Sequence, residues 1–193
     1  MTKMMIPAAI LSAALTACGS PSTDNEAAPA DNALIDPGLI EPPSEGIDLV
    51  ASDGSVIGKV QVSEDEGGLS LKIDANGDGA GTHGVHLHET GRCETPDFAS
   101  AGGHWNPTGK AHGRDNPSGQ HLGDLPNLLA DDMGRIDSQF RLDGVTKAQL
   151  ADADGTALMI HADPDDYRTD PSGNSGARII CAVLAAPESA EGA

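Results

Sequence analysis

Six of the seven histidines in this chain, with one aspartate, fall at spacings suited to holding metal ions. They are His86, His88, His104, His112, His121, Asp124 and His161. His86 and His88 lie two apart in G-V-H-L-H. Residues two apart on a strand share a face, so both imidazoles point one way while Val85 and Leu87 point the other. His104, His112, His121 and Asp124 crowd a loop rich in Gly, Pro and Asn. A bound metal can order such a loop where hydrophobic burial cannot. One histidine alone is ordinarily a solvated or hydrogen-bonded side chain. An H-x-H pair, a loop set and a distant strand residue, in a chain otherwise almost free of histidine, form a ligand pattern.

The elements that must position these side chains read as short strands. Val60 and Val62 alternate with polar neighbours, as do Leu69, Leu71 and Ile73. Ile136, Phe140 and Leu142 share a face of a later run. Leu158 and Ile160 follow, then Ile179 to Leu184. Turn signals separate them: Ser52-Asp53-Gly54, Glu66-Gly67-Gly68, Asn76-Gly77-Asp78-Gly79 and Asp154-Gly155. This is an all-β pattern at sandwich spacing. Two long loops, 89–133 and 162–177, interrupt it, and long ordered loops are usually functional. With two Phe, one Trp and one Tyr, the core falls to Val, Ile, Leu and Ala, which suit a two-sheet sandwich or small barrel.

Eleven Lys and Arg against 30 Asp and Glu give a net charge of −19. That excludes a nucleic-acid partner, since binding phosphates needs a basic footprint. At the N-terminus, Lys3 precedes an apolar run, Ile6-Pro7-Ala8-Ala9-Ile10-Leu11, too short to span a bilayer. It ends in Leu15-Thr16-Ala17-Cys18, which resembles the bacterial lipobox. Residues 1–17 are thus expected to be a signal peptide, with Cys18 lipidated and first in the mature chain. Residues 18–46, rich in Ser, Pro, Ala, Asn, Asp and Glu, read as a disordered tether. The folded domain is 47–193. Three cysteines are an odd count. If Cys18 carries lipid, Cys93 and Cys181 remain, and export to an oxidising compartment allows them to bond.

The motifs G-T-H-G-V-H-L-H-E-T-G-R-C, S-A-G-G-H-W-N-P, A-H-G, H-L-G-D-L-P-N, M-I-H-A-D-P-D-D-Y and G-N-S-G-A-R-I-I-C occur in that order over roughly residues 47–186. In this they resemble the bacterial copper/zinc superoxide dismutases. The resemblance implies a Greek-key, immunoglobulin-like β-sandwich or barrel of about eight antiparallel strands with two long functional loops. It also implies an intrasubunit disulfide between Cys93 and Cys181.

A site of histidines alone, with tetragonal geometry and an open face, suits copper. His86, His88 and His161 are its candidates, with His104 as a fourth. A closed site of three histidines and one carboxylate suits tetrahedral zinc, and His104, His112, His121 and Asp124 fit it. The resemblance implies that His104 bridges the two metals. It implies Cu(II)/Cu(I) cycling that turns superoxide into dioxygen and hydrogen peroxide, with the bridge supplying a proton and zinc holding it. Arg178 matches the family's active-site arginine, which attracts the anion. Asp165 matches the aspartate that links a copper histidine to a zinc histidine, here His86 and His112. His83, the seventh histidine, matches a structural position. Trp105 and Ala182 depart from the family's more usual Phe or Tyr and Gly; neither is a ligand. Lys110, Arg114 and Arg168 are expected to form a local positive funnel beside Arg178.

These features lead to a periplasmic enzyme anchored to a bacterial membrane through Cys18, the outer membrane preferred, with superoxide as substrate. A homodimer and a monomer both stay open. The competing reading is a metal-carrying relative that buffers copper or zinc without turnover. Inactive relatives usually lose a copper ligand or the arginine, and this chain keeps both.

Overall fold

From Ile47 onward the alternating aliphatic runs pair as strands. The computed structural model describes residues 46–77 and 79–188. The leader, Cys18 and the tether up to residue 45 lie outside the described residues. Nine strands follow in chain order: β1 (Ile47–Ala51), β2 (Val56–Asp65), β3 (Gly68–Asn76), β4 (Gly81–His83), β5 (Val85–His88), β6 (Leu128–Ala130), β7 (Arg135–Asp143), β8 (Thr156–His161) and β9 (Arg178–Ala185). All pair antiparallel, in the order β4-β6-β7-β3-β2-β1-β9-β8-β5. The two ends of that order, β4 and β5, are separated in the chain by Gly84 alone. The sheet therefore curls into a nearly closed barrel, which leaves little exposed edge.

The all-β expectation holds, with nine strands rather than about eight. The extra one, β6, lies inside the stretch read as the first long loop. Its three residues, Leu128 to Ala130, are too few for the period-2 pattern to stand out. Among the described residues the helical content is one 3-10 turn at Ala99–Ala101 and a four-residue helix, Lys147–Leu150, closed by a Thr146–Gln149 capping box.

Leu49, Val60, Leu69, Leu71, Ile73, Val85, Leu87, Leu158 and Ile160 are fully buried in the barrel interior. Val85 and Leu87 point inward on β5, as their spacing requires, so His86 and His88 point outward. On β8, Leu158 and Ile160 face the core, while Ala157, Met159 and His161 face out. The outward side is not solvent. Phe98, Ala101, Ala157, Met159 and Cys181 form a second, smaller apolar cluster, with Cys93 packed against it. Cys93 and Cys181 are bonded, with Cα atoms 5.7 Å apart. That bond fixes the start of the first long loop to the middle of β9.

Candidate metal centre

The histidine side of β5 is covered by main chain. β5 pairs with β8 on one edge only. Its other edge bonds to two pieces of the first loop. Trp105 N–H donates to Leu87 O, and Leu87 N–H donates to Gly123 O. Leu125 N–H donates to Val85 O, and Glu89 N–H to Gly103 O. These bonds set His88 opposite His104 and His86 opposite Asp124. The edge of one strand thereby gathers ligands that are up to 38 residues apart in sequence. His161 joins from the end of β8, where it faces Arg178 on β9 just past a register shift in the ladder. Trp105 is buried in the barrel core beneath this loop.

The rings pack closely. His86 stacks on His104 with centroids 3.9 Å apart, and His161 meets His86 edge-on at 4.8 Å. Each ring has one nitrogen assigned by its partner. His88 Nδ1–H donates to Gly102 O at 3.0 Å, and His86 Nε2–H donates to Asp165 Oδ2 at 2.9 Å. The remaining nitrogens, His86 Nδ1, His88 Nε2, His104 Nε2 and His161 Nε2, are buried and have no hydrogen-bond partner among the described residues. One ring nitrogen from each of these four residues lies within 4.8 Å of the others. Four buried, neighbouring nitrogens without partners cost free energy unless something accepts their lone pairs. A cation that prefers imidazole would do so.

Beside it, three imidazoles converge on one carboxylate oxygen. His104 Nδ1, His112 Nδ1 and His121 Nδ1 lie 3.2, 3.0 and 3.1 Å from Asp124 Oδ1. Ligand atoms about 2.0–2.1 Å from a tetrahedral zinc lie about 3.3 Å apart. The donor set and its spacing fit that ion. Asp124 Oδ2 is held by the main-chain N–H groups of Gly113 and His121, so the carboxylate cannot swing away. His86 also lies near His104, His112 and Asp124. Its Nε2 is committed to Asp165, so it serves the first cluster. His104 presents one nitrogen to each cluster.

Asp165 ties the clusters from behind. Its Oδ2 takes His86 Nε2–H, and its Oδ1 takes His112 Nε2–H at 3.0 Å. Both bonds leave Nδ1 of the ring free for a metal. Gly173, at φ +65°, must be glycine here, because a Cβ would overlap the Asp165 carboxylate and crowd His112.

The electrostatics split along the same line. Burial pushes His104 down to about 4 and His161 down to about 3, and it lowers His86 and His88 as well. These imidazoles are neutral at pH 7, as ligands must be. Burial also opposes charge on His112, but the Asp124 and Asp165 carboxylates outweigh it and raise that ring to about 9. Both carboxylates are held well below the usual range despite burial, mainly by their histidine partners.

Arg178 is half-buried at the start of β9. Nη1 donates to Phe98 O and Nη2 to Gly102 O, each at 2.7 Å. The Gly102 carbonyl therefore holds both the guanidinium and His88. The positive charge of Arg178 is felt at His88 and His161 and contributes to lowering both.

The sequence-chosen residues therefore converge: His86, His88, His104 and His161 in one cluster, His104, His112, His121 and Asp124 in the other, with Asp165 behind. His83 stands apart, its Nδ1 2.9 Å from the His161 carbonyl oxygen. Of the expected funnel, Arg114 lies over the Tyr167 ring at 3.9 Å and Arg168 lies 3.9 Å from Asp115. Sequence reasoning missed the carbonyls of Phe98 and Gly102, which no residue type announces. It also gave no role to Asn127, although that residue stood in a quoted motif.

Comparison with known proteins agrees with this geometry. The family described as Copper/zinc superoxide dismutase (SODC) matches residues 56–184. A protein named Superoxide dismutase [Cu-Zn] 2 from Aquifex aeolicus (strain VF5) is 44% identical over 143 residues, 71% of this chain and 84% of that protein. A crystal structure of a double mutant of a SOD-like protein from Bacillus subtilis superposes with TM-score 0.68 at 44% identity. It covers 72% of this chain and 95% of the other. Cu/Zn superoxide dismutase from Brucella abortus gives TM-score 0.60 at 30% identity, over 72% of this chain and 97% of that one.

Proposed function

The chain belongs to the copper/zinc superoxide dismutases, and we propose that His86, His88, His104 and His161 hold its copper while His104, His112, His121 and Asp124 hold its zinc. Its reaction takes two superoxide anions and two protons to dioxygen and hydrogen peroxide. The observation that carries the assignment is a set of four neighbouring buried imidazole nitrogens without hydrogen-bond partners among the described residues.

Copper supplies the one-electron exchange that no side chain here can make, and zinc, which has no redox chemistry, supplies fixed charge. The protein does the rest. Arg178 offers a positive fork, oriented by two carbonyls, to a small anion arriving beside the copper ligands. Phe98, whose carbonyl holds Arg178, has its side chain fully buried in the second apolar cluster, which fixes that carbonyl in place. His104 Nε2 is the group placed to hold a proton between half-reactions and deliver it to the departing peroxide. Its Nδ1, 3.2 Å from Asp124 Oδ1, is the nitrogen that zinc would hold, so the ring would keep its place while Nε2 changes state. Asp165 keeps His86 in the Nε2–H tautomer throughout.

Lys3, the short apolar run and Leu15-Thr16-Ala17-Cys18 support export and lipidation at Cys18, with a periplasmic, membrane-anchored enzyme as the result. The Cys93–Cys181 bond suits such an oxidising compartment. Labelling with a radioactive fatty acid checks this, with Cys18→Ser expected to remove both the label and the membrane association.

The assignment is tested by superoxide consumption of the metal-loaded protein against His161→Ala. Fast turnover that the substitution abolishes, with zinc content retained, is the expected result. A protein that holds one copper and one zinc yet consumes no superoxide refutes the catalytic role of these residues.

A further inference from the structure

The Asp165 carboxylate does not hold its own position. Its backbone N–H donates to Asn127 Oδ1 at 2.9 Å, and Asn127 Nδ2 donates to its carbonyl oxygen at 3.0 Å. The Asn127 carboxamide thus pairs with both main-chain groups of Asp165, as a neighbouring strand would. Asn127 is itself anchored: its main-chain N–H donates to the Tyr167 hydroxyl at 2.8 Å. Tyr167 returns to the carboxylate, because its own N–H donates to Asp165 Oδ1 at 2.7 Å. Asp165, Tyr167 and Asn127 therefore form a closed ring of hydrogen bonds.

That ring joins the two functional loops. Asn127 follows the zinc-side ligand Asp124 by three residues, and Tyr167 lies in the second loop. Tyr167 O accepts the Asp115 N–H, and its ring carries Arg114 at 3.9 Å. Tyr167 holds φ +61°, an unfavourable backbone for a bulky residue, so the surrounding contacts impose its place. It is the one tyrosine in the chain.

We propose that Tyr167 is a positioning residue for the metal centre: its hydroxyl fixes Asn127, Asn127 fixes the backbone of Asp165, and the aim of that carboxylate at His86 and His112 follows. This rests on the ligand assignment given above. With the hydroxyl gone, the Asn127 N–H loses its partner, the carboxamide clamp loosens, and His112 Nδ1 is presented less sharply to zinc. Partners of ligands commonly set metal affinity by about 10–100-fold.

The test is zinc affinity by chelator competition on the whole protein, its Tyr167→Phe and Asp165→Asn variants and the double variant. The electron paramagnetic resonance spectrum of each copper-loaded sample is recorded as a second readout. Tyr167→Phe keeps the ring under Arg114 and every main-chain bond, so only the hydroxyl is removed. The expected result is about tenfold weaker zinc binding for Tyr167→Phe and a changed copper spectrum, since Asp165 also holds His86. In the Asp165→Asn background, Tyr167→Phe should cost less than about twofold more, because the two act along one path. Affinity within about twofold of the parent, or a tenfold loss persisting in the Asp165→Asn background, overturns the proposal. A parent that takes up no zinc overturns the ligand assignment, whereas a zinc-binding parent matched by its variant overturns the proposal alone. Should Tyr167→Phe fail to fold, Asn127→Ser removes the clamp but keeps Tyr167 and the main-chain N–H. It is expected to weaken zinc at least tenfold, and an unchanged affinity again overturns the proposal.

Discussion

Removing the Cys93–Cys181 bond should cost the metal-free protein about 15 °C of melting temperature. The bond spans 88 residues. For a closed loop of that length the chain-entropy relation gives about 4.6 kcal/mol at 25 °C. Unfolding entropy of about 2.1 cal/mol/K per residue, over the roughly 140 described residues, is about 0.3 kcal/mol/K, and the quotient gives the shift. The perturbation is Cys93→Ala with Cys181→Ala, so that no free thiol remains. The assay is thermal unfolding followed by far-ultraviolet circular dichroism, with a chelator present so that metal binding does not mask the change. A fall of less than about 5 °C would refute the entropic reasoning. The same substitution frees the chain segment whose Phe98 and Gly102 carbonyls hold Arg178. The metal-loaded variant should therefore also lose about tenfold in kcat/KM with its copper content intact. Full activity would show that those carbonyls stay in place without the bond.

Three further outcomes are expected. Without metal, His104 and His161 titrate near 4 and 3 when folded, against 6.5 when exposed, so the stability they confer is complete above pH 6.5 and lost as pH falls toward 3. His112, raised to about 9, acts in the other sense and loses its contribution as pH rises from 6.5 through 9. Urea midpoints of the metal-free protein should thus peak near neutrality, and a midpoint that keeps climbing to pH 9 contradicts the His112 reading. Arg178→Gln should lower kcat/KM by one to two orders of magnitude while metal analysis finds both ions undiminished, and equal activity would remove the arginine from the mechanism. Since attraction is local on a chain of charge −19, raising salt from about 10 to about 150 mM should slow the enzyme less than about twofold in stopped-flow assays.

Much of the centre could be read from residue types. H-x-H on a strand with aliphatic partners dictated that His86 and His88 leave the core on one face, and β5 obeys. Turn residues marked most strand ends. Strand β6 escaped because three residues cannot display a period. Main-chain acceptors escaped for a different reason: Phe98 O and Gly102 O hold Arg178 by their position on the chain, and any residue carries the same carbonyl. Asn127 and Tyr167 escaped because their importance lies in whom they meet. A part-buried amide or phenol becomes informative only when its partners, here the Asp165 backbone and the Asn127 N–H, are known.

The Gly102 carbonyl accepts from His88 Nδ1 and from Arg178 Nη2. The group proposed to meet the anion and one of the groups proposed to hold copper therefore share one fixed post. Displacing that peptide plane tilts both together, so their mutual aim persists under small deformations of the loop. For lineages in which this segment drifts, inheritance should guard the backbone path at residues 98 and 102, with φ of +53° and +74°, more strictly than it guards the side chain at exposed Ala99 between them. A library randomising residues 94–103 and sorted for activity would display that bias as retained turn formers amid otherwise free substitution.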